Sequence, residues 1–478
     1  MFSVRKSMKP CIAKSGMGRK PVLTLLLALL LRVLVFGAAD EATWKVGVAS
    51  VVITPDQPMW LAGYVSRTNV SQGKAQDLYA KALALDDASG RRLVIVTLDL
   101  IGIPRPLRNG VESALRKEDG LPPEGLLMNC SHTHSGPEFR VGKSPQDWVM
   151  FGKEGIPGAK SAEEYGRELQ EKIIGVVRHA LASRAPAKLS YQHARCGFAM
   201  NRRTPAGTNY TNFPNPDGPV DHDVPVLRVD APEGKLRAVL FGYACHNTTL
   251  ALYQICGDYA GYAQQYLEAA NPGATALFLQ GCGGDQNPYP RGTLELAQTH
   301  GRSLATAVEA ALQTRGQPLS GPLRLAYDEV EIHYAGPPTG ADLEAKLKSS
   351  DVYEAQHARR MLDWLAREGK LPEKYPFPVQ VARFGDALTL VALAGETVVD
   401  YSLRLKKELT GPALWVAGYC DDVMAYIPSA RLLREGGYEP HTSMFFTEIH
   451  PGPWAPTLEE RIIGKVRELN TRLKPGGR

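Results

Sequence analysis

"RLVIVTLDLIG", residues 92 to 102, is the stretch that most narrows what this chain can fold into. Its apolar residues run on without the polar alternation of a strand that has one wet face, so the strand they form has to be covered on both sides. Such a strand needs a layer of structure on each face, and the flanking sequence supplies candidates. Further strand-like runs occur at 44–54 ("WKVGVASVVIT"), 78–87, 126–131 ("LLMNCS"), 188–196, 224–230 and 235–246 ("KLRAVLFGYACH"). Apolar residues at helical spacing mark 161–184, the segment after Asp258, and about 292–314, with the strand "TALFLQGCGGD" between the last two. A charged helical pattern at about 341–368, the strand pair "PVQVARFGD" and "ALTLVALAGE", a helix in "TVVDYSLRLKKEL" and a strand "ALWVAGYCDD" complete the alternation. The expected fold is α/β, a mixed β-sheet core with flanking helices, in a single domain over 40–478. The Asn/Pro/Gly-rich stretch 201–223 is expected to be the longest irregular loop, and loops of that length often carry function.

Residues 1–39 read as an address rather than as part of that domain. They hold seven Lys/Arg and no Asp/Glu, then the apolar run "PVLTLLLALLLRVLVF", then the small residues "GAA" before Asp40. That is the layout of a secretory signal peptide, which predicts a secreted or periplasmic protein; an uncleaved membrane anchor is the second reading. Without those seven cations the 55 Lys+Arg and 50 Asp+Glu of the whole chain become 48 and 50. A near-neutral domain gives no support for nucleic-acid binding. Six cysteines remain beyond the signal: Cys130, Cys196, Cys245, Cys256, Cys282 and Cys420. An even number in an exported chain permits disulfides, but no CxxC pair is present, so a structural zinc knuckle is not expected.

Four motifs sit where strands run out, and strand ends are where a metal site is expected. In "SHTHSGPE" an extended backbone points His132 and His134 to the same side, which suits two ligands, or one ligand and one acid/base group. Two satisfied loop histidines would look the same. "FGYACHNTTL" repeats the arrangement, with His246 just beyond an apolar strand. "LVALAGETVVD" leads through Gly395 to Glu396, which either opens a helix or completes a His/His/Glu site with room for water. "FLQGCGGDQNPYP" is a strand followed by a glycine turn with Asp285 and Asn287 beyond it. No Gly-Lys-Ser/Thr follows, so it is not a phosphate-cradling loop.

Taken in order, these motifs resemble the catalytic domain of the neutral/alkaline ceramidases, a family of exported or cell-surface zinc amidases. The family's "THTHSGPGG" is similar to "SHTHSGPEF", and its second histidine segment to "YACHNTTL". Its "PGE" is similar to "LAGETVV", its "INRS" to "MNRRTP", its "YDGxVD" to "PDGPVDHD", and its tyrosine segment to "YCDDVMAYIPS". The resemblance runs from about residue 45 to 440 and stops short of the family's C-terminal immunoglobulin-like domain. It implies that His132, His246, Glu396 and Tyr426 hold Zn²⁺, with His134, Arg202 and Tyr438 as the catalytic groups. Asp285 and Asn287 are then expected to bind substrate.

One departure stands out. The family's "GDVSPN" is "GDQNPY" here, so Asn287 occupies the place of a serine hydroxyl. An amide can hydrogen-bond a substrate but is no nucleophile. The expected activity is therefore hydrolysis of an amide bond in an N-acyl substrate, ceramide-like or otherwise acylated, by water that the metal activates. His134 would assist proton transfer while Arg202 and Tyr438 stabilise the oxyanion. Association with a membrane surface goes with a lipid substrate. Two other readings stay open at this stage: an amidohydrolase-type barrel, in which His-x-His also binds metal, and an exported binding protein on a degenerate hydrolase fold.

Overall fold

The computed structural model describes residues 44–142 and 158–475. Residues 1–39, expected from the sequence to be a signal peptide, lie outside the described residues. Among those described, no helix is long and apolar enough to cross a membrane.

Strand Arg92–Leu98 is covered on both faces, as its sequence requires. Val94 and Val96 share a core with Leu107 and Val111 of helix Arg105–Asp119 and with Ile173 and Val177 of helix Ala162–Ala182. Leu93 and Ile95 share a different core with Leu390 and Trp415, which belong to a second sheet. The chain thus stacks helices, a large sheet, a smaller sheet and helices again. The large sheet runs in the order Thr275–Gln280, Leu236–Tyr243, Asp223–Asp230, Ala185–Arg195, Trp44–Val52, Tyr79–Asp86, Arg92–Leu98, Leu126–Cys130. The smaller one runs Leu323–His333, Lys374–Phe384, Leu388–Leu393, Ala413–Ala417. Its outer face is closed by helices Val399–Glu408 and Leu458–Arg472 through Tyr401, Ile462 and Val466. Helices Asp258–Ala270 and Leu294–Leu312 cover the other end of the large sheet through Leu267, Leu304 and Val308. Two stacked open sheets are not a barrel, which sets the amidohydrolase-type barrel aside.

Helix Ala162–Ala182 shows how the layers are held. Ser161 Oγ accepts from the Glu164 N–H at 3.2 Å and starts the helix, and Leu169, Ile173 and Val177 recur every fourth residue on its buried face. Burying one such side chain stabilises the fold by about 1.5–3 kcal/mol. Truncation of Ile173 to alanine would remove about 2–5 kcal/mol.

Three parallel pairs aim their carboxyl ends at one place: Arg92–Leu98 with Leu126–Cys130, Leu236–Tyr243 with Thr275–Gln280, and Leu388–Leu393 with Ala413–Ala417. The Asn129 carboxamide joins all three. Its Nδ2 donates to Gly418 O at 2.7 Å and its Oδ1 accepts from Gln280 N at 2.8 Å. Crevices at such strand ends are where open α/β sheets place their sites.

The stretch 201–223 departs from the expectation of an irregular loop. Strands Ala199–Ala206 and Asn209–Asn215 form a hairpin, with Thr204 opposite Thr211, and strand Gln286–Pro288 pairs on its other side. The turn is made at Gly207, whose φ of 63° glycine adopts without strain. Cross-strand hydrogen bonding here overrides the local turn chemistry of Asn, Pro and Gly. The charged helical segment is two helices, Gly340–Lys346 and Val352–Glu368, each restarted by its own N-cap, Thr339 and Asp351. Helices Arg105–Asp119 and Leu458–Arg472 and strand Leu323–His333 are additions to the sequence reading. All six cysteines among the described residues are free and buried.

Candidate metal centre

His132 is the first residue to leave the strand-end geometry, with φ of 61°, a left-handed conformation uncommon outside glycine. Its backbone N–H donates to Leu100 O at 2.9 Å, and its Nδ1 lies 2.5 Å from Ile101 O. A carbonyl can only accept, so Nδ1 carries the proton and Nε2 presents a lone pair. His246 is fixed in the same way, with Nδ1 at 2.7 Å from Gly283 O. Both Nε2 atoms face Glu396, whose Oε2 is 3.1 Å from His132 Nε2 and 3.2 Å from His246 Nε2.

That convergence has a chemical meaning. Two imidazole nitrogens and a carboxylate oxygen, all buried, meet at hydrogen-bond distance. Such a cluster suits a cation. For His246, burial and the nearby Arg202 charge push the pKa down to about 4, so the neutral ring that ligation needs is the favoured form.

Tyr426 and His134 stand at the edge of this triad. Tyr426 Oη is 3.2 Å from His246 Nε2, and Tyr426 lies directly opposite Glu396 in a short parallel ladder, Glu396–Thr397 with Tyr426–Ile427. His134 Nε2 is 3.1 Å from His132 Nε2. The imidazole donor atoms of His132, His134 and His246 lie within 4.8 Å of one another and could hold a metal ion. His134 differs from the other two in one respect: its Nδ1 is buried with no hydrogen-bond partner. Tyr64 packs on the ring with centroids 4.8 Å apart, and a Cβ on Gly63 would come within 2.3 Å of that Nδ1.

Arg202 reaches the cluster from the hairpin. The register of strand Ala199–Ala206 shifts between Asn201 and Arg203, and all three residues in this bulge are buried. A bulge re-aims a side chain, and here it turns a guanidinium inward. Arg202 Nη2 donates to Tyr426 Oη at 3.0 Å, Nη1 lies 3.3 Å from His246 Nε2, and Nε donates to Glu439 Oε1 at 2.9 Å. Glu439 also pairs with Arg203, so one buried carboxylate anchors two arginines. Burial would lower the Arg202 pKa, but Tyr426 and Glu439 outweigh it and raise it well above the ordinary value. Tyr438 is half-buried, its ring edge-on to Tyr426 at 5.4 Å and its face 5.8 Å from the Arg202 guanidinium carbon.

The two residues expected to contact substrate part company. Asp285 is fully buried, and its oxygens accept from Val399 N at 2.9 Å and Asn201 Nδ2 at 3.0 Å. Burial pushes its pKa up to about 6. The carboxylate ties the arginine hairpin to the helix that follows Glu396, so its hydrogen bonds go to framework and not to a pocket. Asn287 lines a cavity beside Arg202, with Oδ1 at 3.4 Å from Arg202 Nη1 and 3.3 Å from Thr248 Oγ1.

Glu439, Tyr64 and Tyr419 were not singled out by sequence motif, although Tyr419 packs 4.7 Å from the His132 ring. Glu439 follows Tyr438 directly, which is the one signal that could have pointed to it.

The family model for the N-terminal part of neutral/alkaline non-lysosomal ceramidases matches residues 44–309. The neutral ceramidase of Mycobacterium tuberculosis (strain ATCC 25618 / H37Rv) is 24% identical over 471 residues, covering 80% of this chain and 71% of that protein. Among solved structures, the neutral ceramidase from Pseudomonas aeruginosa superposes with a TM-score of 0.70 at 19% identity, covering 91% of this chain and 75% of that one. A ceramidase complexed with C2 superposes with a TM-score of 0.69 at 18% identity, covering 90% and 76%. The structural likenesses establish a shared fold, and the family model spans more than half of the sequence: the chain belongs to the neutral/alkaline non-lysosomal ceramidase family.

Proposed function

We propose that this protein is an exported, zinc-dependent hydrolase that cleaves the amide bond of an N-acyl lipid of the ceramide type. The observation that carries the reading is the meeting of His132 Nε2, His246 Nε2 and Glu396 Oε2 within 3.2 Å, both rings already committed through Nδ1 to backbone carbonyls. The N/O donor set suits zinc, with Tyr426 Oη as the fourth donor. Zinc held by such donors supplies Lewis acidity and lowers the pKa of water towards about 7.

The chain's own residues do the rest. Arg202 and Tyr438 present donors on the side of the cluster where the carbonyl oxygen gains charge, and Glu439 keeps the guanidinium from swinging away. His134 is neutral in the resting site, because burial and then the neighbouring His132 and His246 depress its pKa well below the ordinary value. It takes a proton from the attacking water and returns it to the departing amine nitrogen. Asn287 steadies Arg202 through its carbonyl oxygen and plays no covalent part. Export rests on the basic, apolar and small-residue pattern of residues 1–39. The ceramide assignment rests on the family and on the name of its Mycobacterium tuberculosis relative.

The test is metal analysis joined to a turnover assay on a short-chain ceramide. One zinc per chain is expected, with both zinc and hydrolysis lost in His246→Ala. Folded, zinc-saturated protein that leaves ceramide and other N-acyl amides intact would sink the proposal.

A further inference from the structure

Next to the metal cluster, a cavity of about 200 Å³ opens between the hairpin 199–215 and strand Gln286–Pro288. Arg202 is the wall it shares with the cluster, since the same guanidinium lies 3.3 Å from His246 Nε2. A group in this cavity therefore sits one side chain away from the reacting bond.

Three properties define what fits there. The first is size: a water's share of liquid volume is about 30 Å³, so the space takes a compact head group and not a long acyl chain. The second is polarity. The lining includes the carboxamides of Asn212 and Asn287, with Asn287 Nδ2 3.5 Å from Asn212 Oδ1, a long contact that a ligand can replace. The third is charge. Two arginines, Arg202 and Arg291, line the cavity, and no Asp or Glu does. Arg202 is balanced by Glu439, whereas Arg291 is exposed at the mouth and pairs with no carboxylate among the described residues. The rim is aromatic, with Phe213 64% and Tyr289 49% exposed, two of the few large apolar side chains left in solvent.

We propose that this cavity is a subsite for an anionic head group on the amine half of the substrate, with Arg291 as its specificity-determining counter-charge. The proximity of Arg202 to both spaces places the anion on the carbon bonded to the scissile nitrogen. The ligand class is accordingly an N-acyl amino acid, whose α-carboxylate occupies that position. Asn212 and Asn287 donate to the carboxylate, and Phe213 and Tyr289 flank the chain as it leaves the mouth. This deepens the amide-hydrolase reading and rests on it for the identity of the scissile bond.

Binding of two sulfonamides that cannot be hydrolysed, N-(dodecylsulfonyl)glycine and N-(2-hydroxyethyl)dodecanesulfonamide, tests it by calorimetry on zinc-loaded protein. They differ only in a carboxylate against a hydroxymethyl. The glycine compound is expected to bind at least about fivefold more tightly, the range open to one well-placed surface cation, with the preference shrinking as salt rises. In Arg291→Gln that preference should vanish while zinc content and Tm stay as in the parent. Equal binding of the two compounds, or a preference that survives Arg291→Gln, overturns the assignment. Because nothing is cleaved in the binding comparison, failure of the hydrolase reading would show separately, as absent turnover of every N-acyl substrate.

Discussion

Arg202 and Glu439, 237 positions apart in sequence, meet through Nε and Oε1 at 2.9 Å in the buried wall of the metal cluster. The pair fixes where the guanidinium points. Removing its carboxylate charge while keeping its shape should therefore separate chemistry from metal binding. In Glu439→Gln, kcat/KM is expected to fall about 100-fold, the scale of losing one oriented oxyanion donor, with zinc stoichiometry unchanged. Stability should also drop by about 3–5 kcal/mol, because buried Arg202 loses its counter-charge and Arg203 keeps only Glu435. Unchanged kcat/KM would remove Arg202 from the oxyanion role.

Gly63 offers a way to disturb His134 from outside the cluster. Its φ is 95°, and a Cβ there would stand 2.3 Å from His134 Nδ1. Gly63→Ala is expected to displace the ring, cutting kcat by about 100-fold, the upper part of the range for a positioned proton carrier, while leaving the metal in place. Loss of zinc in this variant would instead mark His134 as a ligand.

Removing the metal should be visible as stability. Donors crowded in this way would make a bound ion a stabilising ligand, worth about 4 kcal/mol when its free concentration is roughly a thousand times Kd. Chelation is expected to lower Tm and added zinc to restore it. In His132→Ala neither treatment should move Tm, and a parent-like response there would argue that the ion sits elsewhere.

Asp258 gives a pH signature away from the cluster. It is buried at the start of helix Asp258–Ala270, accepts from Leu250 N at 2.9 Å and Tyr259 N at 2.6 Å, and burial pushes its pKa up to about 6 from 3.8. Between those values the folded state holds the proton and the unfolded state does not. Its contribution is complete below about pH 4 and is lost as pH rises through 6. Relative to Asp258→Asn, the parent should lose about 1–3 kcal/mol across that window in urea titrations. A flat difference curve would show that the carboxylate stays ionised in the fold.

What the sequence made legible follows from where the information is local. The doubly buried strand at 92–98, the strand ends before His132, His246 and Glu396, and the helix over 162–182 each announce themselves within a dozen residues. The hairpin carrying Arg202 does not, because its Asn, Pro and Gly residues match turn chemistry while its pairing depends on strand Gln286–Pro288 some eighty positions on. The bulge that turns Arg202 inward, the carboxylate of Glu439 and the packing of Tyr64 on His134 exist only across long sequence separations. Asp285 misled for a related reason: a glycine turn followed by an acid looks the same whether the acid faces a pocket or, as here, the backbone of Val399.

Glu396 and Tyr426 are register partners in a parallel ladder, so their spacing is set by backbone pairing, about 4.8 Å between neighbouring strands. The exposed turn within the thirty or so residues that separate them in sequence has no part in holding that distance. Their connection reaches solvent at Thr410 and Gly411, between the helix Val399–Glu408 and the strand Ala413–Ala417. That turn is thus a place where relatives can lengthen or shorten without disturbing the centre, and where a tag or an inserted domain can be grafted onto a working enzyme.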